Sequence, residues 1–102
     1  MLARVARYEV PSDRLEDAVE AFSSAAEEIQ ELPGLVGGYV LIDYEDGRTM
    51  TITLWGNQET FDSSESAARA ARTKAAHSVD GSVLSVERFE VAQELGARAG
   101  SV

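Results

Sequence analysis

A chain of 102 residues with net charge −9 and no cysteine is one domain with room for a single core. The absence of cysteine excludes disulfides, thiolate metal sites and a thiol nucleophile. The acidic balance argues against nucleic acid or an anionic membrane surface as partner. Met1–Val10 holds no continuous apolar run of the signal-peptide kind, and no stretch reaches membrane-span length, so a cytoplasmic protein that does not enter a membrane is expected.

Ala3–Val10 reads as a first strand, with Tyr8 and Val10 on one side and Val5 and Arg7 on the other. Pro11 and Ser12 end it and open a helix to about Glu31. Ser12 or Asp13 is the expected cap, and Asp13 with Glu16 has capping-box spacing. Leu15, Ala18, Val19, Phe22, Ala26 and Ile29 form one buried stripe, while Asp17, Glu20, Glu27 and Glu28 make a solvated outer face. Pro33-Gly34 stops the helix.

Two extended runs follow, Leu35–Tyr44 and Arg48–Trp55. Asp46-Gly47 suits a two-residue hairpin turn, in which both residues need positive φ. That register sets Tyr39, Leu41 and Asp43 beside Leu54, Ile52 and Met50, and Gly38 opposite Trp55. The first of these strands is apolar on both sides: Val36, Val40 and Ile42 point one way, Leu35, Tyr39 and Leu41 the other. Both faces therefore expect cover.

Asn57 is the expected cap of a second helical region, about Gln58 to Ala76. Phe61 is its only large apolar anchor, and Ala67, Ala68, Ala71 and Ala75 supply the rest. Asp62-Ser63-Ser64-Glu65 predicts a break. His77–Gly81 reads as a loop and Ser82–Val91 as a last strand. Residues 1–93 form the expected domain, and 94–102 a flexible tail.

Strand, helix, strand, strand, helix, strand folds as a ferredoxin-like βαββαβ α+β domain: a four-stranded antiparallel sheet with two helices on one face. Two helices shelter one face only, so a homodimer through the other sheet face is expected. The fold alone assigns no function. Iron–sulfur carriage needs cysteines. SVERFEV and YVLIDYE do not match the aromatic motifs of RNA-recognition sheets. One histidine without clustered carboxylates predicts no metal site.

PGLVGGYVLID, ITLWGNQETFDSSESAARAARTKAA and VLSVERFEV, in that order, resemble the antibiotic biosynthesis monooxygenase family. The shared features are Pro33-Gly34 after the first helix, Trp55 closing the third strand, Glu59 and Phe61 entering the second helix, the Ser-Glu-Ser-Ala-Ala run, and the closing strand. The resemblance spans about residues 1–93. It implies a dimeric α+β barrel with a small-molecule pocket between sheet and helices. It also implies, for some members, oxygenation of phenolic substrates without metal or flavin cofactor. An electron-rich enolate or phenolate can reduce O2 itself, so the protein need only hold it, ease deprotonation and stabilise the anion in a dry cavity.

Five residues are candidates for substrate binding; none is singled out as catalytic. Trp55 can stack on a planar ligand or donate its indole N–H, but reads first as a core residue packed over Gly38 and against the second helix. Tyr39 offers a hydroxyl, and equally a half-buried sheet position. Phe61 reads as a core plug near the pocket. Arg72 lies near the same helical face and can hold an anion, or pair with a nearby carboxylate. His77, the only histidine, stands at the end of a helix and reads as a surface or loop-anchoring residue. Two open readings result: a cofactor-independent monooxygenase, and a non-catalytic small-molecule-binding or assembly dimer.

The heme-degrading branch of the family shares the closing Trp and an Ala-Ala-His. Its further tryptophan would fall near Ser64 and its first-strand asparagine near Ala6. Both are replaced, so heme cleavage is not expected.

Overall fold

The computed structural model describes residues 1–96. Its elements are β1 (Leu2–Glu9), a 3-10 turn (Ser12–Arg14), α1 (Leu15–Gln30), β2 (Leu35–Asp43), β3 (Arg48–Trp55), α2 (Gln58–Ser78) and β4 (Ser82–Glu90). The four strands form one antiparallel sheet in the order β2-β3-β1-β4. Both helices pack on one face of it, the ferredoxin-like arrangement expected. Residues 97–102 of the expected tail lie outside the described residues.

Pairing register decides which side chains reach the helices. Arg4, Ala6 and Tyr8 of β1 oppose Thr53, Thr51 and Thr49 of β3, and Gly38, Val40 and Ile42 of β2 oppose the same three threonines. These residues, with Trp55 at the end of β3, line the helix-facing side. α1 covers it with Leu15, Ala18, Phe22, Ala25 and Ile29. The stripe runs through Ala25 where Ala26 was expected; Ala26 is exposed. The Tyr8 and Phe22 rings meet at 4.3 Å between centroids.

The hairpin departs from expectation in its loop. Asp43 pairs with Arg48 and Tyr39 with Ile52, so the loop holds four residues, Tyr44–Gly47, and the register is shifted by two. The Asp43 carboxylate produces this turn, accepting from the N–H groups of Glu45 and Asp46, each at 3.1 Å, and from Arg48. Gly47 alone takes positive φ, 74°. A shift of two keeps every side chain on its own face. A second departure does change a face: Val36 bulges out between Leu35 and Gly37, so Leu35 opposes Trp55 and joins the core. Gly38, on the hairpin side of the bulge, faces Thr53 and not Trp55 because of the two-residue shift.

At the start of α1, neither Ser12 nor Asp13 caps. Pro11 holds the N-cap place of the 3-10 turn with φ −55°, and its carbonyl accepts from Arg14 N–H at 2.9 Å. α2 is continuous where a break was expected, and it absorbs the start of the expected loop, running through His77 to Ser78. Ser63 and Ser64 donate to the carbonyls of Thr60 and Phe61, three residues back, at 3.3 and 2.9 Å. Their hydroxyls are satisfied within the helix and do not compete with it. Asn57 caps as expected, accepting from Thr60 N–H at 2.9 Å.

The sheet's other face is left open. Tyr39 and Leu41 of β2 are 64% and 43% exposed, and Phe89 of β4 is 50% exposed. Met50, Ile52 and Leu54 of β3 lie half-buried among them.

Candidate functional site

Helix α1, helix α2 and the sheet enclose a cavity of about 220 Å³. Its wall on α1 is Phe22, Ala25 and Ile29; its floor is Ala6, Tyr8, Val40, Thr51 and Thr53; α2 contributes Ala68 and Arg72. The lining residues on β1 and α2 are buried, whereas Ala26, Gln30 and Gly38 are exposed. The cavity therefore opens between the C-terminal half of α1 and β2, and its blind end lies at α2 and β1. At the mouth, a Cβ on Gly38 would come within 2.5 Å of the Ile52 carbonyl oxygen, so the close approach of β2 to β3 requires glycine there.

The blind end is charged. Arg4 and Arg72 are each only 5% exposed, and Glu65 lies between them. Arg72 donates through Nη2 to Glu65 Oε2 at 2.6 Å. Arg4 Nε sits 2.8 Å from Glu65 Oε1, an ion contact whose N–H is not aimed at that oxygen as a hydrogen bond. Arg4 is committed elsewhere too: Nη2 donates to the Phe61 carbonyl at 2.8 Å, Nη1 to Ser64 Oγ at 3.4 Å, and its guanidinium stacks 4.3 Å from the Phe61 ring centroid. Burial pushes the Arg4 guanidinium below the ordinary arginine range, with Glu65 opposing the shift.

Hydroxyls complete the polar set. Tyr8 OH and Thr51 Oγ1 share a 2.9 Å hydrogen bond on the cavity floor. Burial raises the Tyr8 phenol, and the Thr51 bond and the Arg72 charge partly offset that. The neutral phenol is thus favoured. Beyond Arg4 and Glu65 a second hollow, about 420 Å³, is bordered by Asp62, Arg69 and Arg88. It is larger, but those three side chains stand in solvent. The first cavity has the more apolar lining and is the better ligand site.

The five sequence candidates scatter. Arg72 lines the cavity's blind end. Tyr39 borders the mouth through β2, while the register points its side chain to the open sheet face. Trp55 is fully buried, its indole N–H donating to Thr53 Oγ1 at 2.9 Å, and it does not border the cavity. Phe61 is buried behind Arg4 and borders only the second hollow. His77 is exposed near the end of α2.

Arg4, Tyr8 and Glu65 escaped the sequence reading. Arg4 carried a signal: it shares strand parity with Ala6 and Tyr8, so a charge points at the core. Glu65 carried another, lying seven residues before Arg72 on one helical face. Among the described residues no three His, Cys, Asp or Glu side chains come together as a metal site. No helix among them is long and apolar enough to cross a membrane.

Comparison with known structures shows the same fold in SnoaB, a cofactor-independent oxygenase from Streptomyces nogalater. Identity is 18% and the TM-score 0.70, over 92% of this chain and 95% of that one. A Deinococcus radiodurans protein assigned to the antibiotic biosynthesis monooxygenases gives 12% identity and a TM-score of 0.75, over 94% and 97%. MhuD, a heme-degrader from Mycobacterium tuberculosis, gives 22% and 0.70, over 94% and 100%. The curated proteins offer no match at the sequence level. The sequence profile of one family, antibiotic biosynthesis monooxygenase, matches residues 1–77. With three quarters of its length so matched and its fold shared with these structures, the chain belongs to the antibiotic biosynthesis monooxygenase family.

Proposed function

We propose that this protein is a cofactor-independent monooxygenase acting on a small planar or phenolic molecule held between the sheet and the helices. The observation that carries this reading is the mostly apolar cavity of about 220 Å³, open at one end, with buried polar groups at its blind end. Drug-sized ligands occupy about 300–1,000 Å³, so the cavity suits one or two rings. Phe22 and Ile29 would flank the ring and keep water out, and Tyr8 and Thr51 would hydrogen-bond its oxygen. The substrate supplies the electrons: its ionised form reduces O2, and one oxygen atom joins the ring carbon as a carbonyl. The other leaves as water with two hydrogens, one from that carbon and one from the substrate's hydroxyl (both from the carbon where the substrate is a keto tautomer). Of the five candidates, Arg72 is the one proposed to touch substrate. Trp55 and Phe61 support the cavity from behind, and neither Tyr39 nor His77 is assigned a part in the chemistry.

A second reading, a non-catalytic small-molecule-binding or assembly dimer, is favoured by one observation. The titratable residues that line the cavity are Arg4, Tyr8, Tyr39 and Arg72, and no histidine or carboxylate stands among them to act as general base. Oxygen uptake with quinols, catechols and anthrones, in the presence of a chelator, separates the two. Uptake with an oxygen atom from isotopically labelled O2 retained in the product ketone supports the oxygenase. No uptake from any of them, with a ligand still raising the melting temperature, leaves the binding reading.

We also propose that the protein is a homodimer through its open sheet face, supported by the exposed Tyr39, Leu41 and Phe89 there. Sedimentation at micromolar concentration tests this; a single species of monomer mass would remove the dimer.

A further inference from the structure

We propose that the blind end of the cavity is an anion grip, in which Arg72 takes the carboxylate or ring oxyanion of a small, flat organic acid. The charge balance there is incomplete. Two guanidinium groups, each 5% exposed, share the single carboxylate of Glu65. Arg69 also touches Glu65, at 3.4 Å, but stands in solvent and needs no counter-charge. One buried positive charge is therefore in surplus, and a buried charge without a partner is costly.

Arg72 brings that surplus to the cavity wall. Arg4 donates from Nη2 to the Phe61 carbonyl and from Nη1 to Ser64 Oγ, and its Nε lies in ion contact with Glu65. Arg72 makes one hydrogen bond, from Nη2, and among the described residues Nε and Nη1 have no acceptor. Arg72 lines a cavity whose α1 wall is Phe22, Ala25 and Ile29. A neutral ring would leave those donors unpaired, whereas an anion would satisfy them in a low-dielectric site where a charge-assisted bond is strong. Glu65 is then a positioning residue: its bond to Nη2 fixes the guanidinium and leaves the other donors for the ligand. The inference rests on the cavity being the ligand site, but not on oxygenation.

Isothermal titration and melting shifts at low chloride, with benzoate, its neutral isostere benzamide, and 4-nitrophenol on either side of its own ionisation, test it. The expected result is that an anion binds about tenfold or more tighter than its neutral counterpart. Preference for benzoate alone assigns a carboxylate, and preference for nitrophenolate alone a ring oxyanion. Arg72→Met should erase the preference and Arg72→Lys retain part of it. Should Arg72→Met fail to fold, Ala25→Leu fills the cavity with every charge in place and must abolish anion binding. Equal affinity for anion and isostere, no binding of either, or a preference surviving in Ala25→Leu or in folded Arg72→Met would overturn the grip. Benzoate is a ligand here and not a source of electrons, so its failure to bind leaves the oxygen-uptake result separately readable.

Discussion

Replacing Glu65 with Gln isolates one charge at nearly constant shape. The wild-type carboxylate lies within 2.8 Å of Arg4 and 2.6 Å of Arg72. Glu65→Gln leaves two buried guanidinium groups facing each other across a neutral amide, whose oxygen can still accept from one of them. Breaking a buried ion pair costs about 3–5 kcal/mol. Glu65 is 29% exposed, so solvent screens part of that loss, and about 2–3 kcal/mol is the expected cost. At 4–8 °C per kcal/mol for a domain of this size, the melting temperature should fall by roughly 10–20 °C. Thermal unfolding followed by circular dichroism, at one fixed protein concentration, reads this directly. Asp17→Asn is the control: it breaks the exposed pair with Arg14 and should leave the melting temperature unchanged. If Glu65→Gln melts with that control, the two arginines are not held by a shared counter-charge, and the description of the blind end is wrong.

Other expectations follow from single residues. Gly34 has φ +87°, and a Cβ there would land on the Thr60 side chain, so Gly34→Ala should lower the denaturant midpoint by the equivalent of about 2 kcal/mol or more. Asn57→Ala removes the cap of α2 and should cost about 1 kcal/mol in the same titration. Trp55→Phe empties part of a fully buried site and deletes the bond to Thr53, so stability should fall, while ligand affinity in the cavity stays unchanged. Hydrogen bonds from Arg48 and from the N–H groups of Asp46 and Glu45 hold the Asp43 carboxyl below the usual carboxylate range. A depressed carboxyl stabilises the fold above its unfolded value, about 3.9, and that contribution is lost as pH falls through the folded value. The melting temperature of Asp43→Asn should therefore depend less on pH than wild type below about pH 4, and parallel acid limbs would contradict it.

Element order, the α1 stripe and the two-sided apolar character of β2 were legible because periodicity and strand parity report directly on burial. The hairpin shows why parity survives an error: a slip of two residues misplaces every pair in the ladder and moves no side chain to the other face. Leu35 shows the opposite, since one bulged residue at Val36 reverses it. Turn length was hidden because the Asp43 side chain, and not the Asp46-Gly47 dipeptide, forms the loop. In α2 the polar run Asp62–Glu65 resembles a helix break, yet its acids are drawn to Arg88, Arg4 and Arg72 from outside or further along the helix. Arg4 and Arg88 are distant in sequence from those acids, so strand parity at Arg4 and the seven-residue spacing of Glu65 and Arg72 mark charges near the core without saying which of them meet. The charged blind end is for that reason the part of the candidate site least visible before the fold is known.

A crystal structure of the protein grown with benzoate tests most directly whether the cavity between sheet and helices is where the ligand sits. The expected result is density for one ring between Phe22 and Ile29, with its carboxylate on the free donors of Arg72. An empty cavity with benzoate bound elsewhere would contradict it.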